Sequence, residues 1–181
     1  MDPEDILKSY YSPESRAYNI LLNHSRAVTE KALVIARQVK HLHPDISFIY
    51  EAAMLHDIGI FLTRVPKIGC YGKQPYVCHG YLGGEILERE GLLPHALVCE
   101  RHVGLGITVQ DIKEKKLPLP ERDMVPVTIE EQIICYADKF FSKISDPLTE
   151  ERPLHVIRKK IKKFGDEKLK RFDEWVEMFR I

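Results

Sequence analysis

Residues 15–40 carry Ala17, Leu21, Val28, Ile35 and Val39 in a rhythm close to 3.6 residues. That period marks one buried face of a long amphipathic helix. His24 falls on the same face. An imidazole there needs a partner, because a polar group taken from water without one costs free energy. The helix ends at His41-Leu42-His43-Pro44, since proline disfavours helix in the residue before it.

The same period returns along the chain. Residues 3–15 predict a short helical lead-in broken by Pro13. Residues 46–57 place Phe48, Ala52, Ala53 and His56 on one face, with Gly59 as a natural stop. Residues 79–91 align His79, Leu82, Gly83 and Ile86. Gly83-Gly84 within a helix costs stability, which implies close packing or close approach of a ligand. A shorter helix opens at Pro94, closes at Gly104, and aligns His95, Val98, Cys99 and His102. Thr128-Ile129-Glu130-Glu131 has the form of a capping box and opens a helix to about Ser145, with Ile134, Ala137, Asp138 and Phe141 inward. Asp146-Pro147 breaks the chain. Two helices follow, at about 153–164 and 166–180, marked by Ile157, Ile161 and Phe164 and by Phe172, Trp175 and Phe179. Residues 63–77 hold the glycines and prolines of a loop, a reasonable rim for a site next to polar inward side chains. Residues 103–127 allow one or two helical turns over 111–116 before Pro118, Pro120 and Pro126 forbid regular structure, and an insertion of that length serves as a lid, a substrate loop or a partner contact. No stretch alternates as a strand does. The expected class is all-α: one helical bundle over 1–145, with a C-terminal helical extension over 146–181 packed on the same domain.

Charge excludes several functions. Lys+Arg and Asp+Glu both number 27, so no net field selects a nucleic acid or a membrane surface. The basic run Arg158-Lys159-Lys160-Ile161-Lys162-Lys163 reads as the wet side of an amphipathic helix. No apolar run approaches the ~20 residues of a membrane-spanning helix. The acidic start Met1-Asp2-Pro3-Glu4-Asp5 does not fit a signal peptide. Cys70, Cys78, Cys99 and Cys135 form no C-x-x-C pair. They read as free thiols of a cytoplasmic protein, with Cys78 and Cys99 as small apolar fillers.

Six side chains on five expected helices then stand out: His24, His56, Asp57, His79, His102 and Asp138. Each lies on the face that turns inward. One buried histidine is explained by one hydrogen bond; five helices each delivering such a group are better explained by a shared cation. Neutral imidazole and carboxylate are both ligands for divalent metals. Six are too many for one tetrahedral site and suit one or two octahedral ions with positions left for water and substrate. A dinuclear arrangement puts His24, His56, Asp57 and Asp138 on one ion and His79 and His102 on the other, bridged by Asp57. His41, His43, His95 and His155 have no place in this order.

The order His…His-Asp…His…His…Asp, with the segments HDIG and ADKF, resembles the HD-domain superfamily of metal-dependent phosphohydrolases over about residues 20–145. His24, His56-Asp57 and Asp138 match its four-residue signature, and His79 and His102 match the extra histidines of its dinuclear branch. The resemblance implies a helical bundle and one or two divalent ions drawn from Fe, Mn, Zn, Ni or Co. It implies hydrolysis of phosphoester or phosphoanhydride bonds in a small phosphorylated compound, mostly nucleotides, with His56 and Asp57 at the catalytic centre. Many members carry a lysine directly after the HDIG glycine; here that residue is Ile60. Arg64, Lys67, Lys73, Arg101 or Lys139 must replace that lysine, or the substrate differs; Lys67, Lys73, Arg101 and Lys139 are the ones expected to bind substrate phosphate. Lys139 and Lys143, one and five residues after Asp138, can each reach a substrate phosphate, although lysines flanking a buried helix face are usually solvated. The same ligand order also resembles a branch of mixed-valent di-iron oxygenases, and a third reading is a non-catalytic helical module stabilised by its metal. A homo-oligomer is compatible with all three.

Overall fold

The computed structural model describes residues 1–144, 147 and 149–179. Among them the chain is helical, as expected, with one two-residue hairpin (β1, Arg64–Val65; β2, Cys70–Tyr71) inside the 63–77 loop. The α-helices are α1 (Pro3–Tyr10), α2 (Arg16–Gln38), α3 (Ile46–Leu55), α4 (His79–Arg89), α5 (Leu93–Arg101), α6 (Val109–Lys115), α7 (Ile129–Asp138), α8 (Leu154–Lys162) and α9 (Asp166–Phe179).

Local chemistry sets where these begin. The Ser15 hydroxyl accepts from the Tyr18 amide at the start of α2, and the Asp45 carboxylate accepts from the Phe48 amide at the start of α3. Both satisfy amides that have no partner within the helix. Thr108 and Asp111 form a reciprocal capping box on α6. At α7 only half of the expected box exists. The Thr128 hydroxyl accepts from the Glu131 amide, while the Glu131 carboxylate turns to the amide of Val127 and to Arg101.

The apolar side chains divide into two main cores. One gathers Ala27, Val28, Ala32, Ile35 and Ala36 of α2 with residues of α3 and α7 and with Ile157, Ile161, Phe172, Trp175 and Phe179 of α8 and α9. The other gathers Ala17, Tyr18 and Leu21 of α2 with α1, Leu55, Ile58, Ile60 and parts of α4 and α5. His24 and Ser25 lie on α2 between its contributions to the two cores. His56-Asp57 lies where the chain leaves α3 for a 3-10 turn (Ile58–Leu62). The polar cluster described below occupies this seam.

Gly59 and the end of α7 differ from the sequence expectation, while Gly83 and residues 103–127 follow one of its readings. Gly59 does not stop a helix. A Cβ there would lie 2.3 Å from the His79 carbonyl oxygen and 2.5 Å from the Gly83 amide nitrogen, so the glycine lets the turn after Asp57 press against α4. Gly83 meets the Cys99 sulfur in the same way, and protein packing, not a ligand, accounts for it. Residues 103–127 hold α6 and a small apolar cluster of Ile107, Ile112 and Met124, tied by a two-way backbone pairing of Ile107 with Met124. Finally, α7 ends at Asp138 rather than near Ser145. Adjacent residues on a continuing helix diverge by about 100°, yet Phe140 and Phe141 are both buried. The backbone tightens to i−3 hydrogen bonds at Phe140 and Phe141, and the Phe140 carbonyl accepts from the Arg152 amide. Ser145 and Asp146, where the expected division between bundle and extension falls, lie outside the described residues. The helices on either side, α7 and α9, share one core.

Candidate metal centre

Three of the four clustered histidines occupy the same local position. His56 follows the last residue of α3, His102 follows the last of α5, and His79 follows a short 3-10 helix over Tyr76–Cys78. The last carbonyls of a helix have no partner within it. Each ring turns back to the carbonyl three residues earlier: His56 Nδ1 to Ala53 (2.6 Å), His79 Nδ1 to Tyr76 (2.6 Å) and His102 Nδ1 to Cys99 (2.7 Å). A carbonyl only accepts, so each Nδ1 carries the hydrogen. In the neutral ring each Nε2 is then a lone pair aimed into the seam, the tautomer that suits a metal ligand.

Asp57 sits among these lone pairs. Its Oδ2 lies 3.2 Å from His24 Nε2 and 3.1 Å from His56 Nε2, and its Oδ1 lies 3.2 Å from His79 Nε2 and 3.4 Å from His102 Nε2. Asp138 Oδ1 closes the first set, 3.0 Å from His24 and 3.6 Å from His56. Two groups with metal-binding spacing result, His24/His56/Asp57/Asp138 and Asp57/His79/His102, with ligand atoms inside 4.8 Å of one another in each. Asp57 belongs to both, one oxygen facing each. All six side chains predicted from the sequence are thus brought together.

Three observations fit divalent cations to this donor set. His56 Nε2, His24 Nδ1 and Asp57 Oδ1 are buried without a hydrogen-bond partner, and Asp57 Oδ2 has only the Lys143 ammonium for counter-charge, a costly state that coordination relieves for His56 and Asp57. His79 Nε2 and His102 Nε2 face each other at 3.1 Å, two lone pairs opposed, which requires positive charge nearby. Protonation at His102 does not supply it: burial pushes its pKa down, and His56 and His79 add to this against the pull of Asp57, to about 3. The carboxyls also stay ionised. Burial alone would raise Asp57 and Asp138, but Lys143 and His56 beside the first, and Lys139 and His24 beside the second, hold both well below the usual carboxylate range. At His56 burial pulls the pKa down and is outweighed by Asp57 and Asp138, which lift it to about 9, so its Nε2 holds a proton that a cation would displace on binding.

The candidate phosphate-binding residues separate. Lys139 is in place, with Nζ 2.7 Å from Asp138 Oδ2 and 3.1 Å from the His102 carbonyl. Arg101 is not: its guanidinium grips both Glu131 oxygens at 2.9 and 3.1 Å. Lys67 and Lys73 are exposed on the 63–77 loop and do not line the cavity beside the cluster. Ile60, at the position where a lysine is common, is fully buried in a core. Lys143, weighed with Lys139 but left out of the expected set, lies at the cluster. Its ammonium pairs with Asp57 Oδ2 and is only 9% exposed. The turn after Asp138 brings it there. His95 is engaged elsewhere, its Nε2 3.3 Å from Glu51 and its ring in edge contact with Phe48.

The cluster opens on a cavity of about 610 Å³. His79, His102, Asp138, Lys139 and Lys143 line it at the cluster, and residues from the 103–127 segment and α8 form much of its remaining wall. The four cysteines are buried and unpaired. Among the described residues no helix is long and apolar enough to cross a membrane.

Comparison with known proteins gives a family and three informative relatives. The family model described as HD domain matches residues 21–142. The chain is similar to a tRNA (cytidine(56)-2'-O)-methyltransferase of Thermoplasma volcanium, 37% identical over 127 residues, covering 70% of this chain and 33% of that protein. It is 36% identical over 121 residues to an uncharacterized protein of Methanocaldococcus jannaschii, covering 65% and 64%. A tRNA (cytidine(56)-2'-O)-methyltransferase of Picrophilus torridus is 31% identical over 171 residues, covering 90% of this chain and 44% of its own. The chain therefore spans less than two thirds of each of these relatives. No solved structure matches it.

Proposed function

The chain belongs to the HD-domain family, and from that premise we propose that it is a metal-dependent phosphohydrolase acting on a small phosphorylated compound of the nucleotide class. The observation that carries this reading is Asp57, whose two oxygens each face a separate group of imidazoles, beside a cavity lined by lysines. Divalent cations in the two groups would polarise a phosphoryl oxygen and lower the pKa of water.

The chain's own residues have distinct parts in this scheme. Backbone carbonyls at Ala53, Tyr76 and Cys99 fix three rings with Nε2 inward. Asp57 holds the two groups in register. Asp138 completes the first, and Lys139 orients its second oxygen. Lys143 neutralises Asp57 in this structure; once cations take over that task, its ammonium is free to meet a substrate phosphate at the same wall of the cavity. The six ligands and two lysines are this chain's own, and nothing in the scheme calls for a nucleic acid or membrane partner.

The activity in the names of the two methyltransferase relatives does not come with the match, which covers 33% and 44% of those proteins. The di-iron oxygenase reading shares the same ligands. The lysines at the cluster favour a phosphorylated substrate and hydrolysis. A phosphate-release screen over nucleoside mono-, di- and triphosphates, with Mn, Fe, Co, Ni or Zn supplied in turn, tests the proposal. Metal-dependent release from at least one compound is expected. No release with any metal, together with dioxygen consumption by the iron-loaded protein, would replace it with the oxygenase.

A further inference from the structure

The basic run over 158–163 is mostly the solvated face that its sequence suggests. Arg158 pairs with Asp173 at 2.7 Å, and Lys159, Lys162 and Lys163 are exposed and line no part of the cavity. Lys160 is exposed too but departs from this pattern in where it lies. It lies three residues after Ile157 and four before Phe164, so it shares their side of the helix end, and all three line the cavity that opens at the metal cluster. Arg152, from the stretch that enters α8, lines the same cavity. Its backbone is pinned there by the Phe140 carbonyl at 2.8 Å.

These two cations differ from the others around the cavity. Lys139 is matched by Asp138 and Lys143 by Asp57, while Lys115 and Lys168 share Asp111 at 2.9 and 2.7 Å. Arg152 and Lys160 have no carboxylate partner among the described residues. They also act on one another: partial desolvation lowers the Lys160 pKa, and the charges of Arg152, Lys139 and Lys143 lower it further, with Asp138 acting the other way. Unmatched like charges on a concave wall cost free energy unless an anion joins them. Beside them the wall turns apolar, with Leu105, Ile107 and Leu117.

We propose that Arg152 and Lys160 form a second phosphate subsite, so that the preferred substrate is a nucleoside diphosphate or a similar compound with two linked phosphates. One phosphate meets the His/Asp cluster, the other meets Arg152 and Lys160, and the apolar body lies along Leu105, Ile107 and Leu117. The placing of the first phosphate rests on the phosphohydrolase reading; the subsite itself stands on the charge arrangement.

The test uses the full chain with saturating Mn and two probes, AMP and the non-hydrolysable α,β-methylene analogue of ADP, titrated by calorimetry. The wild type is expected to bind the diphosphate analogue at least ~10-fold more tightly than AMP, the worth of about one charge-assisted contact. The double variant Arg152→Gln/Lys160→Gln is expected to lose that ~10-fold preference while its AMP affinity and melting temperature hold. Lys159→Gln/Lys163→Gln removes the same charge from the solvated face and is expected to change neither. A wild type without preference for the diphosphate, or a double variant that keeps it, overturns the proposal. If the preference behaves as expected but no compound releases phosphate, the hydrolase reading falls and the subsite stands. If phosphate is released but the double variant binds like wild type, the subsite falls and the hydrolase reading stands.

Discussion

Asp57→Ala is expected to empty both halves of the metal centre and to reduce phosphate release by more than ~100-fold. Removing a group that merely orients a metal ligand already costs ~10–100-fold in metal affinity or activity. Asp57 is more than that. Its oxygens lie 3.1 to 3.4 Å from four imidazole nitrogens, and it alone among the described residues offers ligand atoms to both groups. Alanine would also leave the Lys143 ammonium buried without its counter-charge, a costly state. Asp57→Asn separates charge from shape: it fills the space but donates where an acceptor is needed. Both variants should lose bound metal, measured by elemental analysis, along with activity. Unchanged metal content in Asp57→Ala would mean that the ions bind elsewhere.

The second large effect is on stability. Gly59→Ala is expected to cost at least ~3 kcal/mol, the upper end of ordinary overpacking. That corresponds to a drop of ~6–12 °C in melting temperature for a chain of this size. The added carbon would sit 2.3 Å from the His79 carbonyl oxygen, 2.5 Å from the Gly83 nitrogen and 2.9 Å from its Cα. All three are backbone atoms, so no side chain can swing aside. The turn carrying Asp57 and the start of α4 carrying His79 would have to separate, and metal affinity should fall with stability. Gly84→Ala is the control, since its Cβ would meet the Ala96 oxygen at a tolerable 3.2 Å; it should cost clearly less. Thermal melts of the two variants with and without Mn compare them. Equal stability of Gly59→Ala and wild type would contradict the packing argument.

These two residues also show what the sequence made legible. The six clustered side chains were readable because each interrupts an apolar helical stripe. A polar group at such a position needs a reason, and six share one. The helices themselves followed from the 3.6-residue period, with starts close to Ser15, Asp45 and Thr128 where caps sit. Gly59 was harder. A glycine after a helix reads as a stop, and nothing local reveals that α4 will lie against it. Lys143 was harder still. On a continuing helix, five residues past Asp138 means about 140° away, facing solvent. It reaches Asp57 only because two adjacent phenylalanines are both buried and end α7 early. Arg101, Lys67 and Lys73 were attractive by proximity in sequence alone. Arg101 instead braces the start of α7 through Glu131, and the loop holding the two lysines directs them outward. Side chains fixed by periodicity could be anticipated, and those placed by chain breaks and tertiary contacts could not.

The central claim is that one carboxylate ties two cation sites together, and crystals of the Mn-loaded protein test it most directly. Anomalous difference maps should contain two peaks flanking Asp57, one within coordination distance of His24, His56 and Asp138 and the other of His79 and His102. Anomalous maps without a peak beside Asp57, or with a single peak confined to one group, would contradict the account.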